Sequence, residues 1–209
     1  MSIELIIAFI TASSLISLSP GADNIFVLTQ SALYGCKSGL MVTLGLCTGL
    51  IAHTLAIALG VSALFQASPT AFTALKIIGA IYLLYLAWRA FTASKAEMST
   101  SSSTVRSAKK LYLRGILMNV TNPKVSIFFL AFLPQFTSPE NGALVMQFFM
   151  LGAIFIIVAL LIFSAIAYLS GAIGHWFSHS IKGQIYLNRI AGTVLAGLAL
   201  KLVTTSSNA

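Results

Sequence analysis

Two charged residues, Asp23 and Lys124, fall deep inside long apolar stretches, whereas the other charges lie near the ends of such stretches or between them. Each belongs to a proline-centred interruption: Ser19-Pro20-Gly21-Ala22-Asp23-Asn24 in one stretch and Asn119-Val120-Thr121-Asn122-Pro123-Lys124 in another. A charge within hydrocarbon costs roughly 2.5–3.5 kcal/mol on insertion scales, so side chains of this kind are retained for what they do. In both interruptions a good helix N-cap precedes proline, Ser19 before Pro20 and Asn122 before Pro123, which is the order that starts a fresh helix. New helix N-termini present unpaired N–H groups and partial positive charge, a setting that attracts carboxylates. Together with one acid and one amine, the chemistry indicated is recognition of a small zwitterion. Lys124 would hold its carboxylate and Asp23 its ammonium, the two approaching one another. Asp23 as a proton-coupling group and a purely structural Asp23–Lys124 pair are the alternatives; two breaks with opposite charges, one in each half, favour a functional site over the structural pair.

The elements that must position these residues are set by composition. Of 209 residues, 58% are hydrophobic and 8% charged, and the mean hydropathy is +0.96. A soluble domain of this length needs a polar skin that this chain lacks, so its solvent is lipid. Spanning needs roughly 20 apolar residues. Runs of that order occupy Leu5–Gln30, Gly39–Phe65, Thr70–Ala90, Tyr112–Phe136, Leu144–Gly171 and Tyr186–Val203. The expected fold is an all-α integral membrane protein of six transmembrane helices, with helices one and four broken. Short connections at Ser31–Ser38, Gln66–Pro69 and Thr137–Ala143 imply antiparallel neighbours.

The one long polar stretch, Thr92–Leu111, carries the run Ser99-Thr100-Ser101-Ser102-Ser103-Thr104. It divides a single transporter-like domain, 1–209, into a first repeat 1–92, a cytoplasmic linker 93–111 and a second repeat 112–209. Three helices per half make the halves enter the membrane from opposite sides, an inverted repeat by arithmetic, and such repeats place their site where broken helices meet. If both termini are outside, the inner side holds nine basic residues, Lys37, Arg89, Lys95, Arg106, Lys109, Lys110, Arg114, Lys182 and Arg189, against Lys76 and Lys201 outside. The positive-inside rule selects that orientation, periplasmic for both termini in a Gram-negative cell.

The net charge of +8 is thereby topology rather than a nucleic-acid footprint, because the basic residues alternate with apolar runs and are not gathered on one face. Cys36 and Cys47, eleven apart, match neither a redox pair nor a zinc spacing, so no cofactor or metal is expected from them. His175 and His179 stand at i, i+4 without a neighbouring carboxylate or cysteine. Gly45, Gly49 and His53 form one stripe on the second helix: the glycines suit close helix packing, and His53 is either a proton relay or a hydrogen-bonded bundle residue. Tyr82, Tyr85, Trp88 and Phe91 read as bundle and interface anchors. An intramembrane enzyme would need a nucleophile or metal convergent on Asp23, Lys124 and His53, and neither a zincin motif nor paired catalytic aspartates appear.

Three ordered motifs, Ser17-Leu18-Ser19-Pro20-Gly21 with Asp23-Asn24, Gly45-Leu46-x-x-Gly49, and Asn119-Val120-Thr121-Asn122-Pro123-Lys124 with Leu133-Pro134-Gln135-Phe136, resemble the lysine exporter family, especially its homoserine/threonine exporter branch. The likeness covers essentially the whole chain. It implies efflux of amino acids or their derivatives from the cytoplasm across a bacterial inner membrane, with protons as the coupling ion. Where that branch often carries a second proline or small residue after Pro-Gly, this chain has Ala22-Asp23, so the resemblance speaks for Pro20 and Pro123 more directly than for Asp23. Family members differ in substrate. With no further acid in the apolar runs to receive a basic side chain, a neutral, threonine- or homoserine-like substrate is favoured over a basic one. A thiol-handling conduit and a passive channel are the rival membrane functions. Glycine stripes, including Gly192 with Gly197, suit a homodimer face as well as internal packing.

Overall fold

The computed structural model describes residues 1–19, 21–61, 69–92 and 107–170, and after these residues 185, 186, 189, 190, 192, 193, 195–197, 199 and 200. Its regular elements are all helices, with no strand among the described residues. They are α1 (Ile3–Leu18), α2 (Ala22–Tyr34), α3 (Cys36–Ala56) running into a π-helical turn at Ile57–Val61, and α4 (Pro69–Thr92). There follow α5 (Ala108–Val120), α6 (Pro123–Ile127), a second π-helical turn at Phe128–Phe132, 3-10 turns at Leu133–Phe136 and Pro139–Asn141, and α7 (Leu144–Tyr168). Helices dominate because hydrocarbon offers no partner to a backbone N–H or C=O, and a helix pairs these groups within itself.

Two helical stretches, Cys36–Gly60 and Leu144–Tyr168, each of 25 residues, are long and apolar enough to cross a membrane alone. Two bent pairs raise the candidates among the described residues to four: α1 with α2, bent by 60°, and α5 with Pro123–Phe136, bent by 48°. The fragments that fall short singly are long and apolar enough to cross only when taken across their breaks. Helix α4 has 24 residues, and most of the expected sixth run, Tyr186–Val203, lies outside the described residues. The Ser31–Ser38 connection is tighter than expected. Only Gly35 separates α2 from α3, at φ +85°, a conformation that L side chains rarely adopt. Its N–H donates to the Ser31 carbonyl at 2.9 Å, closing α2. Helix α5 starts at Ala108, before the expected Tyr112, since exposed Lys109 and Lys110 are good helix formers that need no burial.

The core is largely aromatic. Phe128, Phe129 and Phe132 are at most 1% exposed, because the wider π-helical turn lets neighbouring positions face inward together. Phe155 of α7 meets Phe128 at 5.2 Å and Phe129 at 5.1 Å, while Phe9 of α1 meets Phe136 edge-on at 5.1 Å. Outward residues are just as apolar: Trp88, Ile81, Leu117 and Leu161 are all more than 60% exposed, as a lipid-facing surface requires. Tyr85 and Phe91 also face outward, and Tyr82 is half-buried. The 138–142 connection is pinned by Gln147, whose Nε2 donates to the carbonyls of Ser138 and Gly142 at 2.8 and 2.9 Å.

The closest crossing is α3 against α5. A Cβ on Gly115 would lie 2.5 Å from the Val42 carbonyl oxygen, and one on Gly45 would collide with the Tyr112 carbonyl. Gly49, next on the stripe, leaves room for Asn119, which a Cβ would meet at 2.7 Å. Beyond it, His53 reaches the same helix at its end. At Gly45 and Gly115 the obstacles are backbone atoms, so no rotamer change relieves them. Gly45→Ala or Gly115→Ala should therefore destabilise the protein by about 1–3 kcal/mol, the usual cost of overpacking. Gly60→Ala, with nothing within 4 Å of the added methyl, should be near neutral. Thermal unfolding in detergent reads the difference, and equal midpoints for all three would remove the crossing as the reason for these glycines.

Candidate functional site

Helix α1 stops at Leu18, leaving the carbonyls of Leu15, Ile16, Ser17 and Leu18 without helical partners. Three of the four are met. The Ser19 N–H donates to Leu15 O at 2.9 Å, and Asn24 of α2 reaches back with Nδ2 to Ser17 O at 2.7 Å. The Lys124 ammonium, arriving from the second break, donates to Ile16 O at 3.2 Å and to Ser19 O at 2.9 Å. Ser19 is thus the C-cap of α1 and not, as its place before Pro20 suggested, the N-cap of the next helix. Gly21 is extended (φ −170°, ψ 178°) and opens α2 without a side-chain cap. A Cβ on Gly21 would stand 3.1 Å from Lys124 Nζ, so glycine clears the ammonium's path. Pro20 itself lies outside the described residues. Asp23 is placed in the first turn of α2, where a carboxylate suits the positive end of the helix.

At the second break Asn122 does two things at once. Its Oδ1 accepts the Lys124 backbone N–H at 3.0 Å, capping α6 with Pro123 in the first turn, as its position before proline predicts. Its Nδ2 donates to Asp23 Oδ2, also at 3.0 Å. The end of α5 is closed by the Thr121 and Asn122 N–H groups, on Leu117 O and Asn119 O at 3.0 Å each. His53 Nε2 lies 3.1 Å from the same Asn119 carbonyl, and its ring packs on Phe129 at 5.6 Å. The histidine hydrogen-bonds the backbone at the end of the broken helix and lies near enough to Asp23 to act on its charge.

Asp23 and Lys124 therefore share one cavity, yet each takes neutral partners and no ion pair joins them. Helix-end carbonyls carry partial negative charge and hold the ammonium in place of the acid. The cavity, about 20 Å³, has room for roughly one water, so the site is nearly closed. Its polar lining is Ser17, Asp23, Asn119 and Lys124; its apolar lining is Ile16, Leu50, Val125, Phe128, Phe155 and Phe163. Four buried oxygens in this region have no hydrogen-bond partner: Ser17 Oγ, Asp23 Oδ1, Asn24 Oδ1 and Asn119 Oδ1. Asn119 is a second side-chain partner of the Asp23 carboxylate beside Asn122, while Asp23 Oδ1 itself has no donor within hydrogen-bond distance. An acceptor-rich, partly unsatisfied pocket is suited to a ligand that brings several N–H donors.

Of the residues singled out from sequence, Ser19, Gly21, Asp23, Asn24, Asn122, Pro123 and Lys124 come together at the two breaks, with His53 behind them. In the sequence Ser17 and Asn119 stand out only as parts of motifs, and nothing in it marks the apolar wall. Both cysteines are free, Cys47 being buried. No His, Cys, Asp and Glu grouping among the described residues could hold a metal, and His175 with His179 lies outside them.

Residues 14–206 match the LysE type translocator family. The chain belongs to that family. It is a membrane translocator and not an enzyme. Over 197 residues it is 36% identical to a protein of Salmonella typhimurium named homoserine/homoserine lactone efflux protein, with 93% of each chain covered. It is 31% identical to a leucine efflux protein of the same species, covering 95% of this chain and 94% of that one. An uncharacterized membrane protein of Bacillus subtilis is 32% identical, with 94% and 97% covered. No solved structure matches.

Because Asn122 both caps α6 and partners buried Asp23, Asn122→Ala should destabilise the translocator by on the order of 2–3 kcal/mol. Asn122→Ser keeps a capping oxygen but loses the donor to Asp23, and should fall between. Unfolding midpoints in detergent order the three proteins, and wild-type stability in the alanine variant would mean that the amide holds neither group.

Proposed function

We propose that this translocator exports a small neutral amino acid or derivative from the cytoplasm, driven by the proton gradient across a bacterial inner membrane. The observation that carries the reading is the pairing of unused capacity at the two breaks. Asp23 Oδ1 is buried without a donor, and the Lys124 ammonium, with three N–H groups, spends two on backbone carbonyls. A zwitterion lying between them would give its ammonium to Asp23 and take the remaining Lys124 donor on its carboxylate. The rest of the wall is aliphatic and aromatic, which favours a side chain without charge. The names of the homoserine/homoserine lactone and leucine efflux relatives agree with such a substrate. A basic amino acid would need a second acid, and Asp23 is the one acidic residue in the cavity lining.

The frame for this cycle is six spans in two inverted repeats, 1–92 and 112–209, joined by a cytoplasmic linker, with both termini on the periplasmic side. Substrate entry requires the closed cavity to widen, and the breaks in the first and fourth spans are where the chain has least helical hydrogen bonding to lose. Proton coupling belongs to the same proposal, with Asp23 as the group that faces the pathway.

Export is tested in cells supplied with dipeptides of leucine, threonine, homoserine and lysine, measuring the free amino acids released. Overproduction of the wild type should speed release of a neutral amino acid, and Asp23→Asn and Lys124→Ala at equal membrane abundance should lower that rate about tenfold or more, as expected for losing one charge-assisted contact. Release of lysine alone would shift the substrate class to basic amino acids, and undiminished export by both variants would make the breaks mere kinks.

A further inference from the structure

We propose that the Lys124 ammonium is a resident cation: it fills a cradle of oxygens that would otherwise take a free monovalent ion, and the translocator therefore works without sodium. In membrane transporters with broken helices, the C-terminal end of a half-helix and the unwound carbonyls after it are where a sodium ion is coordinated. The end of α1 is such a place, and what sits on it is an amine. Lys124 Nζ is 3.2 Å from Ile16 O and 2.9 Å from Ser19 O, with glycine at position 21 leaving its approach clear.

The surroundings are those of a cation site. Ser17 Oγ and Asp23 Oδ1 are both buried without a hydrogen bond, and their residues are 5% and 3% exposed. Both residues line the cavity that Lys124 enters. The ammonium itself rests on the two carbonyls alone; Ser17 Oγ and Asp23 Oδ1 make no hydrogen bond to it and stand in the same cavity as further oxygens that a small free cation could draw on once the ammonium is gone. Lysine reaches this group across the two halves of the chain, 108 residues from one carbonyl and 105 from the other. The positive charge that a carrier would otherwise bind and release at each cycle is here tethered to the protein. Deleting it strands two buried carbonyls in an apolar environment, which creates a demand for any cation small enough to enter.

The flux part of this inference rests on the export reading; the binding part does not. Purified wild type and Lys124→Ala are unfolded thermally in detergent at equal ionic strength, in sodium chloride, methylammonium chloride or N-methyl-D-glucamine chloride, whose cation is too large for the cradle. The variant should be least stable in N-methyl-D-glucamine and gain about 3–6 °C in sodium or methylammonium at tenfold excess over its Kd, whereas the wild type should be indifferent. A variant equally stable in all three salts, or a wild type that gains as much, overturns the proposal. Should the alanine variant not fold, Lys124→Met keeps the apolar stem, removes only the ammonium, and is judged by the same comparison. In proteoliposomes, wild-type movement of labelled leucine and homoserine should be equal with and without sodium. A sodium requirement refutes the resident cation; no movement of either probe in any salt refutes the export reading, and the unfolding comparison still decides the cradle.

Discussion

A helix that ends inside a membrane leaves carbonyl groups with no water to accept from, and each one left unpaired costs several kcal/mol in hydrocarbon. Much of the structure around the site answers that constraint at the end of α1. A backbone N–H takes Leu15, the Asn24 amide takes Ser17, and the ammonium of Lys124 takes Ile16 and Ser19. The last of these fixes where the second break must lie, because a lysine side chain reaches only a few ångströms from its own helix. The α3–α5 crossing then follows: small residues at Gly45, Gly49 and Gly115 let α5 lie close enough for its broken end to be met by His53.

The two breaks are complementary rather than equivalent. The first offers acceptors, namely helix-end carbonyls and the Asp23 carboxylate. The second offers donors, the Asn122 amide and the Lys124 ammonium. Each buried charge is thereby compensated by neutral dipoles of the opposite half. A direct ion pair would be harder to open for the zwitterion we propose as substrate, since breaking it would uncover two charges at once. Dipoles allow a charged group of the guest to be exchanged for a polar group of the protein at smaller cost.

Much of this arrangement was legible in the letters. Proline and charge are conspicuous inside apolar runs, so both breaks could be placed, and Asn122 before Pro123 announced its cap. Ser19 shows the limit of the same rule. A capping residue before proline starts a helix only if the chain turns helical there, and the extended backbone at Gly21 delays the restart, so Ser19 closes α1 instead. The partners of Lys124 could not be read, because they are backbone carbonyls and every residue has one. Phe155 and Phe163 were invisible for a different reason. Helix α7 is apolar on all sides, so periodicity does not distinguish the face toward the cavity from the face toward lipid.

The distance along the chain between Lys124 and the carbonyls it serves has a consequence for how the protein is made. Translation runs at about 5–20 residues per second, and Lys124 follows Ile16 by 108 residues. The end of α1 is therefore synthesised roughly 5–20 s before its ammonium exists. During that interval the nascent first span cannot settle at its final depth with its acceptors satisfied. It must keep them in water, in the headgroup layer or against the insertion machinery until the second half arrives. Final seating of the first span thus waits on a residue of the second half, and the two cannot be completed as independent spans.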